Sequence, residues 1–196
     1  MFMKMKSYTK TIKNEEMIQM MNWLRTNKYA AVLLTIVRLY IGYEWVVAGW
    51  HKITGAKAFD ATGFLKNAIT KPVLETGTTD MVYPNFVAFL KHFALPNVKL
   101  FNVLVPWGEL LVGLGLILGC LTTVAVFFGL LMNLMYMLAG TVSTNPWLFA
   151  LGVIIIAAGA NAGKFGVDYA VLPYLHKWFD KTWERLFHKP KGGLTH

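Results

Sequence analysis

Four apolar stretches, each a candidate for crossing a lipid bilayer, constrain this chain more than anything else in it. They read YAAVLLTIVRLYIGYEWVVAGW from Tyr29, LFNVLVPWGELLVGLGLILGCL from Leu100, TVAVFFGLLMNLMYMLAGTV from Thr123 and WLFALGVIIIAAGAN from Trp147. A helix rises about 1.5 Å per residue and needs roughly 20 residues to cross a hydrocarbon core of about 30 Å. The first three stretches meet that length. The fourth is shorter, and Phe165 to Leu172 can continue it. The chain has 196 residues, 56% of them hydrophobic, and a mean hydropathy of +0.46, too little polar sequence to cover four such helices in a soluble domain. The fold expected is all-α and integral to the membrane. It is a bundle of four transmembrane helices over about 29–50, 100–121, 123–142 and 147–162, the last extending towards 172.

Charge organises the rest. The net charge of +9 comes from Lys and Arg lying almost wholly outside the apolar stretches, as anchors facing anionic lipid do; it is not a nucleic-acid signature. Six basic residues precede Tyr29 (Lys4, Lys6, Lys10, Lys13, Arg25, Lys28) and six follow Asn161 (Lys164, Lys177, Lys181, Arg185, Lys189, Lys191). Four spans put both ends on one side, and the excess of positive charge there predicts a multi-pass protein of a bacterial-type cytoplasmic membrane with both termini in the cytoplasm. Residues 1–28 form a basic segment with Met17, Met20, Met21 and Leu24 at helical spacing. Residues 174–196 form another, with Leu175, Trp178, Phe179, Trp183 and Leu186 on one stripe. Both read as amphipathic helices lying in the interface, a reading compatible with a disordered basic tail over residues 1–14. They flank a membrane domain over 29–173. The first apolar run begins too late and is too long for a cleavable signal peptide. The long first loop, His51 to Lys99, predicts two more amphipathic helices, Thr62–Ile69 and Pro84–Ala94, which read either as a lid or as packing onto lipid.

Three ionisable groups lie within the spans: Arg38 and Glu44 in the first, Glu109 in the second. Such groups are costly in hydrocarbon and mark pairs, cavities or chemistry. The nine Val, Leu and Ile residues of the first span favour insertion by roughly 3 to 5 kcal/mol against about 5 to 7 for its two charges, so it needs a partner. Counting residues from the membrane edges puts Arg38 about 12 Å deep, Asn133 about 15 Å, Glu109 about 17 Å and Glu44 about 21 Å. Arg38, Glu109 and Asn133 therefore share a layer, and an Arg38–Glu109 pair is expected. Glu44, Tyr136 and Trp107 come just outside it, and Trp50, His51 and Lys52 at the rim. Read structurally, the pair staples two helices. Read functionally, it encloses a polar pocket for an amphiphile such as a quinone head group. Arg38, orienting and polarising a quinone carbonyl, and Glu44 and Glu109, exchanging the protons that accompany quinone reduction, are then the candidate catalytic groups. Arg38, Trp45, Trp50, Lys52, Trp107, Asn133 and Tyr136 are the candidate binding residues.

Other chemistries find no support in the residues. His51 and His92 are poorly arranged for haem, and no spacing of His, Cys and carboxylates suggests a metal. The glycines of GLGLILG read as helix packing rather than as a nucleotide loop. Cys120 is the lone cysteine, which leaves no disulfide and no paired-thiol redox motif.

RLYIGYEWVVAGWHKITG, PWGELLVGLGLILGCLTT and NAGKFGVDYAVLP, in that order within a four-span frame, resemble the signatures of the DoxX/DoxD-like membrane proteins from about Tyr29 to about Pro173. The resemblance puts Glu109 at the family's acidic position and Asp168 after its Gly-rich turn. It implies a four-helix bundle linked to quinone redox work, similar to the large subunit of thiosulfate:quinone oxidoreductase. It also implies quinone as cofactor, thiosulfate as a candidate electron donor, and a small soluble redox subunit as partner beside the lipid bilayer and other copies of the chain. The long first loop departs from the compact DoxX pattern towards the DoxD-like kind. A non-catalytic scaffold recruiting redox or stress-response enzymes is the alternative, with a small-solute or lipid carrier ranked below it.

Overall fold

The computed structural model describes residues 2–187, without the side chains of 2–13, 172, 175, 176, 179, 180 and 184–187. Within these the chain is all-helical apart from an isolated bridge between Leu74 and Met81. In order come α1 (Phe2–Thr26), α2 (Lys28–Thr54), α3 (Thr62–Thr70), α4 (Pro84–Phe89) continuing as a π-helical turn over Leu90–Ala94, α5 (Val98–Leu118), α6 (Thr122–Leu138), α7 (Asn145–Ala158) followed by a 3-10 segment over Gly159–Gly163, and α8 (Asp168–Phe187).

Among the described residues, three helices are long and apolar enough to cross a membrane: Lys28–Thr54, Val98–Leu118 and Asn145–Gly163. Helix α6 is apolar but has 17 residues, about 25 Å. Large apolar side chains cover the outside of the bundle, among them Leu33 and Ile36 on α2, Val103 and Leu111 on α5, Phe127 and Phe128 on α6, and Val153 on α7. An apolar exterior of that extent belongs in lipid. The chain is a multi-pass membrane protein.

Glycines set how the helices meet. A Cβ at Gly49 would lie 2.6 Å from the Leu110 nitrogen and 2.7 Å from the Pro106 oxygen. One at Gly113 would lie 2.5 Å from the Val46 nitrogen, and Gly42 faces Gly113 and Ile117 in the same way. Backbone thus lies on backbone along α2 and α5, the close approach that small residues permit between membrane helices. The pairing runs antiparallel, with residue 49 level with 106–110 and residue 42 level with 113–117. Further on, Gly115 meets Ala125 and Gly108 meets Met132, so α6 runs back along α5. Gly49→Val is expected to force α2 and α5 apart and cost about 1–3 kcal/mol. Thermal unfolding in mild detergent checks this, with Gly63→Ala as the neutral control, since a Cβ there meets nothing within 4 Å.

Two cores result. The main one, inside the bundle, includes Leu34, Ile41, Trp45, Val112, Leu116, Val126, Leu148 and Ile155. The second unites Ala61, Leu65 and Ala68 of the first loop with Leu90 and Ala94, packed by Phe101 and Ala139 of the bundle. The two helices expected in the first loop are present, and they sit over one end of the bundle as a lid. Asn102 fastens it: its side-chain oxygen accepts from the Ala61 amide at 2.8 Å and its amide donates to Asp60 at 3.3 Å.

Two expectations about the segments need correction, and a third falls outside the described side chains. The N-terminal residues from Phe2 form one helix rather than a disordered tail, docked through Arg25, which donates to the Ala157 carbonyl, and through Asn161, which donates to those of Leu24 and Asn27. The fourth apolar stretch does not run on as one helix to residue 172, because Gly159 takes φ +58° and ψ −134°, a conformation that only glycine adopts readily. Helix α8 then starts afresh at Asp168. The interfacial stripe expected at the C-terminus involves Leu175, Phe179 and Leu186, whose side chains lie outside the described ones; Trp178 and Trp183 are exposed.

Candidate functional site

Beneath the lid the bundle holds a cavity of about 650 Å³, within the usual size range of small-molecule sites. One stripe of α2 faces it, formed by Glu44, Trp45, Ala48 and Lys52; α5 contributes Leu104, Val105 and Glu109, and α6 Met132, Met135 and Tyr136. Phe59, Phe64, Phe86 and Phe89 of the first loop form its roof, and Asn145 and Leu148 of α7 close a side. The wall is mostly hydrocarbon and aromatic.

Its polar centre is a three-residue cluster. Lys52 Nζ lies 2.6 Å from Glu109 Oε2, and the Tyr136 hydroxyl donates to Glu109 Oε1 at 2.7 Å. Glu109 is 1% exposed, so the ammonium and the hydroxyl replace the water that an ionised carboxylate otherwise requires. Helix geometry explains the partnership. Side chains lean towards the N-terminus of their own helix. Lys52 leans down α2 and Glu109, on the antiparallel α5, leans up to meet it. Lys52 also lies 3.4 Å from its own helix's Ala48 carbonyl. An ammonium has three N–H donors, so one remains for the cavity. Phe64 stands edge-on to Tyr136 at 6.1 Å, which joins the lid to the cluster.

Arg38 is elsewhere, and the expected Arg38–Glu109 pair does not form. The guanidinium is 1% exposed, cradled against Gly119 and Gly166, and donates from Nη2 to the Phe165 carbonyl at 3.1 Å. Its level on α2 matches Gly119, ten residues along α5 from Glu109 or about 15 Å along the axis. The same lean that brings Lys52 and Glu109 together takes Arg38 and Glu109 apart. The carboxylate near Arg38 is Asp168, which accepts from the Leu121 and Thr122 amides at 2.6 and 2.9 Å. This second polar centre closes the far end of the bundle and is not part of the cavity.

The other expected residues divide. Glu44, Trp45, Lys52 and Tyr136 line the cavity with Glu109. Asn133 is buried among Ile41, Trp45 and Leu116 in a gap too small for a ligand, and its Oδ1 has no hydrogen bond among the described residues. Trp50 and Trp107 face outward, more than half exposed, and belong to the bundle's lipid-facing surface. The phenylalanines of the lid escaped sequence reasoning as site residues, although their spacing had marked the helices that carry them. Just before α3, outside the spans, the Thr62 hydroxyl holds the Asp60 carboxyl below the usual carboxylate range, helped by the Thr62 and Asn102 amides.

A family model described as DoxX matches residues 33–143, more than half of the chain. The chain belongs to the DoxX family. No curated protein and no solved structure matches it. The DoxX match takes in α2 from Leu33, the lid, α5 and α6, and with them Arg38, Glu44, Lys52, Glu109 and Tyr136. It ends before Asp168, so the carboxylate beside Arg38 lies beyond the matched segment.

Proposed function

We propose that this DoxX-family protein is a four-span subunit of a quinone-linked oxidoreductase that takes its quinone into the lidded cavity. In this reading α6 is the fourth span, and both chain ends face the cytoplasm of a bacterial-type membrane. One observation carries it: a large, mostly apolar chamber inside the bundle holds a connected cluster of hydrogen-bonding groups, Lys52, Glu109 and Tyr136. An isoprenoid or alkyl tail suits the hydrocarbon wall, and a flat ring suits the phenylalanine roof and Trp45.

The donor set fits the group. Lys52 offers its spare N–H to a carbonyl oxygen, the part first assigned to Arg38. Glu109 and Tyr136 fix the ammonium in place, and Glu44 and Glu109 hold or exchange protons at the chamber wall. A bound quinone supplies two-electron acceptor chemistry. The electron donor, a sulfur compound such as thiosulfate, would be served by a soluble partner.

The test is purification in mild detergent, solvent extraction of the sample, and assay of thiosulfate-dependent reduction of a short-chain quinone analogue in the presence of the membrane's soluble proteins. Co-extracted quinone, and binding of the analogue that weakens at least tenfold in Lys52→Met, are expected. Absence of extracted quinone together with absence of analogue binding overturns the proposal.

A further inference from the structure

Glu44 is the cavity group that the reading above leaves without a defined partner. Both oxygens of Glu109 are engaged. Glu44 lines the same chamber, is half-buried, and has no hydrogen bond or ion pair among the described residues. It sits two turns before Lys52 on the same stripe of α2, with Ala48 between them. Two turns separate the residues by about 12 Å along the axis. Lys52 Nζ reaches back to within 3.4 Å of the Ala48 carbonyl, so the two polar ends lie no farther apart along the axis than about 12 Å. Two hydrogen bonds of about 2.8 Å at opposite ends of a six-membered ring bearing para oxygens span roughly that length.

The two ends of this stripe ask for opposite things. Lys52 can only donate, and an ionised Glu44 can only accept. A 1,4-dione has two acceptors, so one of them would face a carboxylate with no proton between. A 1,4-dihydroxyaryl ring offers an oxygen to Lys52 and an O–H to Glu44, and both requirements are met. A buried acceptor left without a donor is penalised more than a satisfied one is rewarded, which makes Glu44 a discriminator.

We infer that Glu44 is a specificity-determining residue that makes the cavity prefer the hydroquinone form of its ligand over the quinone form. The inference rests on the proposed quinone site, and it adds a direction: the resting protein holds the reduced molecule.

Equilibrium dialysis of the purified full chain against a decyl-substituted 1,4-benzohydroquinone and the matching benzoquinone, under anaerobic conditions, tests it. The reduced probe is expected to bind at least about tenfold more tightly, the size of one charge-assisted hydrogen bond. In Glu44→Gln, whose amide both donates and accepts, the ratio is expected to fall to within about twofold. Lys52→Met is expected to weaken both probes without reversing their order. Glu44 has no partner to lose, so the Glu44→Gln protein should unfold at the wild-type temperature. Equal binding of the two probes to the wild type, or an unchanged ratio in Glu44→Gln, overturns the inference and leaves the quinone site standing. Failure of both probes to bind overturns the site and the inference together.

Discussion

Asp168→Ala is expected to be the most destabilising single change away from the cavity, by about 3–5 kcal/mol, because it leaves the buried Leu121 and Thr122 amides without an acceptor and removes the negative charge nearest the buried Arg38. Asp168 lies 3% exposed and holds together three things. Its two oxygens accept the Leu121 and Thr122 amides at the start of α6, where an anion also meets the positive end of the helix dipole. Its own amide donates to the Gly119 carbonyl at 2.7 Å, which ties α8 to the turn between α5 and α6. That turn is strained, since Leu121 has φ +50°, a conformation that costs a non-glycine residue about 1 kcal/mol or more and persists only where the surroundings enforce it. Arg38 has Nε and Nη1 without acceptors among the described residues, so its charge is balanced by the field of Asp168 rather than by a hydrogen bond to it. The measurement is thermal unfolding of the detergent-solubilised protein, read as a double-mutant cycle with Arg38→Met. The double variant should recover only the part of the loss that comes from the uncompensated charge, since the two amides stay without their acceptor. A loss below about 1 kcal/mol in Asp168→Ala would show that Arg38 does not depend on this carboxylate.

The helices of the bundle were legible because apolar length follows directly from composition; the stretches starting near 29, 100, 123 and 147 coincide with α2, α5, α6 and α7 to within a few residues, and α2, α5 and α7 with its 3-10 extension are long enough to span. The lid helices were legible from Phe64, Leu65, Phe86 and Phe89 at helical spacing. The pairing of charges was not. Depth counting assumes that each span starts at the same membrane edge and that side chains project sideways. In the structure the offset between α2 and α5 is fixed by Gly42, Gly49 and Gly113 lying on opposing backbone, and a glycine in a span does not announce which residue it will face. The lean of side chains along the helix was available without coordinates. Applied to antiparallel helices, it favours a lysine near the end of one span over an arginine in its middle as the partner of Glu109. Trp50 and Trp107 were misjudged for a related reason: an aromatic near a polar residue in sequence lies on another face of the helix one position later. Gly159 ended α7 early, and glycine's freedom at positive φ gives no advance sign of whether it will be used.

Lys52→Met is expected to produce the second large loss, about 3–5 kcal/mol of stability, together with the loss of cavity binding. Breaking a buried pair by removing one member costs far more than removing both, since the remaining charge keeps its desolvation penalty. Glu109 is the more deeply buried partner, at 1% exposure, and in Lys52→Met it retains only the Tyr136 hydroxyl. Glu109→Gln should be milder, because a neutral amide still accepts from Tyr136 and leaves Lys52, on the chamber side, able to reach the Ala48 carbonyl. The Lys52→Met, Glu109→Gln double variant is therefore expected to be more stable than Lys52→Met alone, while binding no better. That combination separates the two roles of the cluster: stability follows charge balance, and binding follows the free N–H of Lys52. If the double variant regains binding along with stability, Lys52 serves only to neutralise Glu109, and the ligand is held by the roof and walls rather than by the ammonium.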